Sequence, residues 1–337
     1  MRAELQRQLE GYRQAGLANR AGVAEQARES KPPSAYRRPE GEPPVLGTNH
    51  VAALRSERAR DGLCVLDGVI DPPTLAAARA EAERMKAAGR LKATPQRAAG
   101  TRFDSVRWLD ERELEGEGEA YPMLARLVRL MKSLASEVEE GGEGHGEEEE
   151  QGALIPKLLV PKYCMIAVYE GEGVSLVYRW GVLCMCVSTV NSPSQTLFKS
   201  PHTNTRQALY VPHRDNTPRA MLARNQQDGV MGNDREVTAI LYLNPPDWDA
   251  QRDGGCLRCY VGAAPDDEAG TTAREVVDVS PEGGRLVMFR SRDLLHEVCS
   301  THESGKHKAV RWALSVWILG RTAEAEAAAK DPWFVVG

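Results

Sequence analysis

The second half of the chain is a succession of short apolar runs, each too brief for a typical helix and each closed by Gly, Asp or Pro. "YCMIAVYEG", "EVTAILYLN", "GCLRCYVG", "GRLVMFRS" and "RWALSVWIL" are rich in β-branched and aromatic residues, the signature of strands joined by turns. The preceding part reads differently. "GLCVLDGVIDPPTLAAARAEAERMKAAGRL" predicts a short strand, a Pro-bearing turn and an Ala/Leu-rich helix starting near Pro73, and "PMLARLVRLMKSLASEVEE" predicts a second helix. Helices first and strands after give a mostly β fold with flanking helices, an antiparallel barrel or sandwich backed by helical segments.

Organisation follows from composition. Residues 1–46, ending in "KPPSAYRRPEGEPP", are rich in charged residues, Gln, Ala and Pro and read as a disordered or partly helical tail. Residues 47–322 are expected to form one domain, and 323–337 a C-terminal helix or tail. Within the domain, 139–152 ("EEGGEGHGEEEEQG") is an acidic loop in which His145 is expected to be solvated. A net charge of −5 over 337 residues gives no electrostatic case for nucleic acid. Seven cysteines in irregular spacing do not make a disulfide framework, and the Cys256/Cys259 CxxC lacks the second pair of a zinc site. No window approaches the ~18 apolar residues of a membrane span, and "MRAELQRQLEGYRQ" lacks the apolar stretch of a secretory signal. The expectation is a cytoplasmic or nuclear monomer with no membrane partner.

"YVPHRDNTP" places His213 and Asp215 two positions apart in an extended run, where side chains share one side. Such a pair either faces solvent as an ion pair or converges on a metal, and a third ligand decides between these. His296, in "RLVMFRSRDLLHEV" just past a strand, supplies one. Two imidazoles and a carboxylate are the set that holds Fe(II) on one face and leaves positions open for oxygen and a chelating cosubstrate. Arg311 heads the next strand, and a guanidinium inside a barrel requires an anion such as the far carboxylate of 2-oxoglutarate. Ser315, four residues on, lies on the same strand face.

These segments, with "GLCVLDGVID", "TRFDSVRWL", "MIAVYEGEG", "TAILYLNPPDWD" and "GGCLRCY", occur in the order that characterises the 2-oxoglutarate-dependent prolyl hydroxylases of hypoxia-inducible factor, which the chain resembles over roughly residues 60–320. The resemblance implies a double-stranded β-helix core of jelly-roll, cupin-like type. It implies Fe(II) on His213, Asp215 and His296, and 2-oxoglutarate on Arg311 with hydroxyl contacts from Tyr242 and Tyr169. It also implies O2 as cosubstrate, ascorbate as reductant, and a proline-containing protein as partner. Arg102, Asp104 and Trp108 match a loop that closes over the peptide in the family, and Arg235 and Trp317 match positions lining the peptide site. Barrel packing of the two tryptophans and a surface pairing of Arg102 with Asp104 are the plainer readings. The implied activity is peptidyl-proline 4-hydroxylation with release of succinate and CO2 and a part in oxygen sensing. A related oxygenase acting on another substrate, or an impaired isoform serving as a binding module, are the alternatives.

Two departures from the family pattern stand out. The hairpin between His296 and Arg311 is long and contains His302, His307 and Lys308, the last a fallback anion partner. Residues 174–207, "VSLVYRWGVLCMCVSTVNSPSQTLFKSPHTNTRQ", interrupt the run from "VYEGEG" to "ALYVPHRDN", contain no Asp or Glu, and leave the family spacing when removed. The segment reads either as a translated retained intron or gene-model error, or as a genuine loop at the mouth of the site.

Overall fold

The computed structural model describes residues 31, 33–36, 38, 43–56, 60–97, 101–116, 120–141, 158–170, 209–218, 221, 234–304 and 307–320. The segment 174–207, the acidic residues 142–150 with His145, the tail before residue 31 and everything after residue 320 lie outside them. Helices are α1 (Thr48–Arg55), α2 (Pro72–Ala87), α3 (Glu111–Gly116), α4 (Pro122–Glu140) and the short α5 (Ala250–Asp253). Strands are β1 (Cys64–Leu66), β2 (Lys92–Ala93), β3 (Asp104–Leu109), β4 (Leu158–Leu159), β5 (Cys164–Glu170), β6 (Tyr210–His213) and β7 (Arg235–Tyr242). They continue as β8 (Leu257–Val261), β9 (Glu275–Val279), β10 (Leu286–Arg290), β11 (Leu295–Val298), β12 (Glu303–Ser304), β13 (His307–Lys308) and β14 (Val310–Gly320).

Two antiparallel sheets face each other. The larger runs β1-β10-β7-β14-β5-β3-β2 with β4 paired to the end of β14, and the smaller runs β6-β11-β8-β9. From β6 onward the chain passes back and forth between them, β6 small, β7 large, β8 and β9 small, β10 large, β11 small and β14 large. This alternation is the double-stranded β-helix, a jelly roll with helices on the outside of the larger sheet. The hairpin β12–β13 occupies the long connection before β14.

The period of two along each central strand sorts its residues into two cores. On β14, Trp312, Leu314, Val316 and Ile318 join the core under the helices, whereas Ala313 and Trp317 belong to the core between the sheets. β5 divides likewise, with Ile166 and Val168 outward and Met165, Ala167 and Tyr169 inward, and β7 with Val237, Ala239 and Leu241 outward and Ile240 and Tyr242 inward. Arg311 and Ser315 therefore share the inner side of β14, as the spacing of four implies.

Local sequence explains the helices. Asp71 caps α2 by accepting from Thr74 N at 2.8 Å, ahead of Pro72 and Pro73, which need no donor there. Buried Glu81 from α2 accepts from Met123 N and Leu124 N and so closes the open N-terminus of α4. The packed body begins earlier than residue 47. A 3-10 turn at Pro33–Tyr36 lies on α4 with Lys132 over the Tyr36 ring, Lys31 bridges to Val160, and Leu46 is buried.

Candidate metal centre and active site

His213 ends β6 and His296 stands directly opposite on β11, in register. Asp215 stands two residues past the end of the strand, and the three offer ligand atoms all within 4.8 Å of one another. His213 Nε2 is 3.9 Å from Asp215 Oδ1, and His296 Nε2 is 3.8 Å from Asp215 Oδ2. Among the described residues no other such group of three occurs; His302 is exposed and its Nδ1 meets the carbonyl of Gln251.

Backbone fixes the tautomers. His213 Nδ1 lies 2.8 Å from the Val211 carbonyl and His296 Nδ1 lies 3.1 Å from that of Leu294. A carbonyl only accepts, so each Nδ1 carries the proton and each Nε2 presents a lone pair inward. Thr238 on β7 donates to Asp215 Oδ2 at 2.8 Å, which leaves its own oxygen to accept from Ser291 Oγ at 2.8 Å. Burial and the neighbouring His296 press the His213 pKa well below its ordinary value, so the ring is neutral at physiological pH. Burial alone would raise Asp215, yet its carboxyl is held below its ordinary value, with the Arg235 guanidinium and the Thr238 hydroxyl both favouring the charged form. Neutral imidazoles and an ionised carboxylate are the protonation states that ligate a divalent metal.

The larger sheet supplies the other half. Arg311 is 1% exposed, its Nε has no hydrogen-bond partner among the described residues, and its nearest hydroxyl contact is Tyr242 at 3.4 Å. Its guanidinium lies over the rings of Tyr169 and Tyr242 at 4.9 and 5.0 Å. Burial pushes Tyr242 up to about 12 and Tyr169 higher still, so both phenols stay protonated and able to donate. Gly255 (φ +71°) lies so close beneath the arginine that a Cβ there would come within 3.0 Å of Arg311 Cδ. A buried guanidinium flanked by hydroxyl donors fits a carboxylate, and the donor set of His213, Asp215 and His296 fits Fe(II). The Lys308 side chain lies outside the described residues.

The expected substrate residues fall into two groups. Arg102 and Asp104 form a bidentate pair at 2.7 and 2.6 Å, and Thr94 Oγ1 also donates to Asp104. Asp104 opens β3, fully buried, rather than standing on a rim loop or a surface turn, and its carboxylate is turned to Arg102. Arg102 in turn lies over the Tyr210 ring at 4.8 Å, and that ring stacks on His213 at 3.6 Å. The pair thus braces a metal ligand through an aromatic ring. The second group forms a ledge: Arg235 lies over Trp317 at 4.2 Å, Trp317 tilts against Trp108 at 5.7 Å, and Arg235 Nη1 is 4.0 Å from Asp215 Oδ1. Trp317 is 7% exposed and Trp108 38%, so the indole nearer the centre is packed and the outer one meets solvent.

The CxxC does not converge. Cys259 faces the inter-sheet core opposite His296, whereas Cys256 lies an odd number of positions away on the other side of the same ladder. Sequence reading also missed Thr238, Ser291, Tyr210 and Phe289, whose ring lies 4.7 Å from that of His296. Thr238 was findable, because stepping back by twos from Tyr242 along β7 puts it on the inner side.

Residues 201–319 match the family model of the 2OG-Fe(II) oxygenase superfamily. The matched stretch holds His213, Asp215, His296 and Arg311, and its class and the site geometry coincide: this part of the chain is a 2OG-Fe(II) oxygenase domain. A comparison with curated proteins finds no match. Among solved structures, similar chains include a prolyl-4-hydroxylase of Pseudomonas putida (20% identity, 82% of this chain and 99% of that one, TM-score 0.48). A Trichoplax adhaerens prolyl hydroxylase in complex with a hypoxia-inducible-factor oxygen degradation domain peptide (18%, 84% and 92%, 0.49) and the non-haem epimerase SnoN from nogalamycin biosynthesis (15%, 86% and 93%, 0.47) are also similar.

Proposed function

We propose that the protein is a peptidyl-proline 4-hydroxylase that uses O2 and 2-oxoglutarate, with ascorbate as reductant, and releases succinate and CO2. The observation that supports a 2-oxoglutarate enzyme most directly is the buried Arg311, which has no anionic partner among the described residues and two protonated tyrosines beside it. The prolyl reading rests on the run of motifs from "TRFDSVRWL" to "RWALSVWIL" and on the ledge at Arg235, Trp317 and Trp108 beside Asp215.

In this reading His213, Asp215 and His296 would hold the metal from one face, which supplies oxygen activation when bound. Arg311 would grip the far carboxylate of 2-oxoglutarate in a fork, while Tyr242, Tyr169 and Ser315 orient it by hydroxyl contact. Thr238 would fix the plane of the Asp215 carboxylate by its hydrogen bond. The ledge would seat the peptide with the proline ring toward the ligand set. Arg102 and Asp104 would act on it at second hand, through Tyr210.

The test is succinate formation from 2-oxoglutarate by the full chain with Fe(II), ascorbate and a library of proline-bearing peptides, beside a version lacking 174–207. Peptide-stimulated turnover with gain of one oxygen on proline is the expected result. Turnover stimulated only by non-prolyl compounds would replace the substrate class; no turnover from either version, with no joint stabilisation by Fe(II) and 2-oxoglutarate, would overturn the enzyme reading.

A further inference from the structure

Two thiols that the site does not use stand opposite each other where the β8–β11 ladder ends. The β8–β11 register pairs Leu257 with Val298 and Arg258 with Glu297, so one step further Cys256 lies opposite Cys299. The step is real in the backbone, because Cys299 N donates to Cys256 O at 2.9 Å and the bridge continues to Gly254 and Thr301. Directly opposed residues of an antiparallel pair project to the same side. Inward positions of this pair are Leu257, Cys259 and Val298, so Cys256 and Cys299 point outward with Arg258 and Glu297. Directly opposed Cα atoms of an antiparallel pair lie about 4.5–5.5 Å apart, inside the roughly 4.4–6.8 Å that a disulfide spans. Both are free thiols; Cys256 is 9% exposed and Cys299 more open.

We propose that Cys256 and Cys299 are a modification site: they close a reversible cross-strand disulfide by exchange with a small disulfide such as glutathione disulfide. Cys299, the more open thiol, attacks first as its thiolate. It forms a mixed disulfide and expels one glutathione thiolate, which takes up the proton that Cys299 lost. Cys256 then attacks the Cys299 sulfur and expels the second glutathione, again with transfer of its proton. Two protein thiols are oxidised and one glutathione disulfide is reduced to two thiols.

Placement gives the bond a consequence for the site. Cys256 follows Gly255, which lies against the Arg311 stem, and Cys299 is three residues past His296 on the same segment. The link would tie the floor under Arg311 to the strand that carries a metal ligand. This consequence rests on the oxygenase reading; the bond itself does not.

Chemistry of the surroundings sets the pace. Burial pushes Cys299 up to about 11, with Arg258 pulling down and Glu297, Asp278 and Cys256 pushing up. Cys256 is raised by burial and Asp278 against Arg311 and Arg258. Exchange is therefore slow at neutral pH and speeds up about tenfold per pH unit below that value.

The experiment is incubation of the full chain with excess glutathione disulfide between about pH 7 and pH 10, followed by digestion without reductant and mass spectrometry. Expected is a peptide pair joined through 256 and 299, formed faster at higher pH and undone by dithiothreitol. C256S should stop at the glutathione adduct of Cys299, and C299S should form no link. Persistence of both thiols at every pH, or bonding of either to another cysteine in preference, overturns the proposal. A link that forms without changing the KM for 2-oxoglutarate would leave the site standing and overturn its consequence for Arg311.

Discussion

The two sheets contribute to the centre in opposite states of completion. On the small sheet every group is already held: His213 and His296 by carbonyls two residues back, Asp215 by Thr238. On the large sheet Arg311 is buried with no anionic partner among the described residues. The other buried arginines show the contrast. Arg292 meets Glu236 at 2.8 Å and Arg290 is paired with Asp293. A charge left in this condition costs free energy in the ligand-free protein and is repaid only by an anion that enters. Metal geometry is thus preorganised, whereas cosubstrate binding also relieves a standing electrostatic penalty.

The largest test of this difference removes a ligand. H296A or D215N should abolish the rise in melting temperature caused by Fe(II), read by scanning fluorimetry, and with it all turnover; a surviving Fe(II) shift would relocate the metal. Next, R311M should abolish stabilisation by 2-oxoglutarate, a loss of about 2–5 kcal/mol or at least ~30-fold in affinity. The same variant should melt higher than wild type without ligands, since it removes an uncompensated buried charge. A lower melting temperature would show that Arg311 already has an anion. T238V should weaken Fe(II) by ~10–100-fold in a titration and leave 2-oxoglutarate binding to Arg311 unaffected.

A pH effect comes fourth. The unfolded His213 imidazole titrates near 6.5 while the folded one stays neutral well below that. In that window the unfolded state binds more protons, so stability rises with pH. The ligand-free protein should therefore lose stability to denaturant between about pH 7 and pH 5, and H213N should flatten the slope. Smallest is D278N, which breaks the exposed pair that Arg258 makes with Asp278 at 2.8 Å. It should cost under ~1 kcal/mol, and a larger loss would give the outer side of the small sheet more structural weight than its exposure allows.

Much of this was legible because strands report their sides by a period of two. The five runs became β5, β7, β8, β10 and β14, and the second helix spans the quoted stretch as Pro122–Glu140. His213, Asp215, His296 and Arg311 were readable from spacing, since each stands at a strand end or heads a strand. The supporting groups were not: a threonine in "EVTAILYLN" carries no mark that its hydroxyl meets a carboxylate 23 positions earlier. Asp104 reads from sequence as part of a closing loop or a surface pair, because Arg and Asp two apart look like a turn, and only the pairing of β3 with β5 opposite Tyr169 buries it. β9, "EVVDV", is mostly exposed, and Glu275 and Asp278 break its valines into a stretch too short to stand out as a strand.

β14 has no solvent-facing position after its first residue, because alternate side chains enter one core or the other. A deletion of one residue inside it would bring Trp312 to the cosubstrate side and send the arginine among the leucines under the helices. Changes of length are therefore confined to its flanks, and the hairpin β12–β13 is a place where residues can be added or removed without moving Arg311.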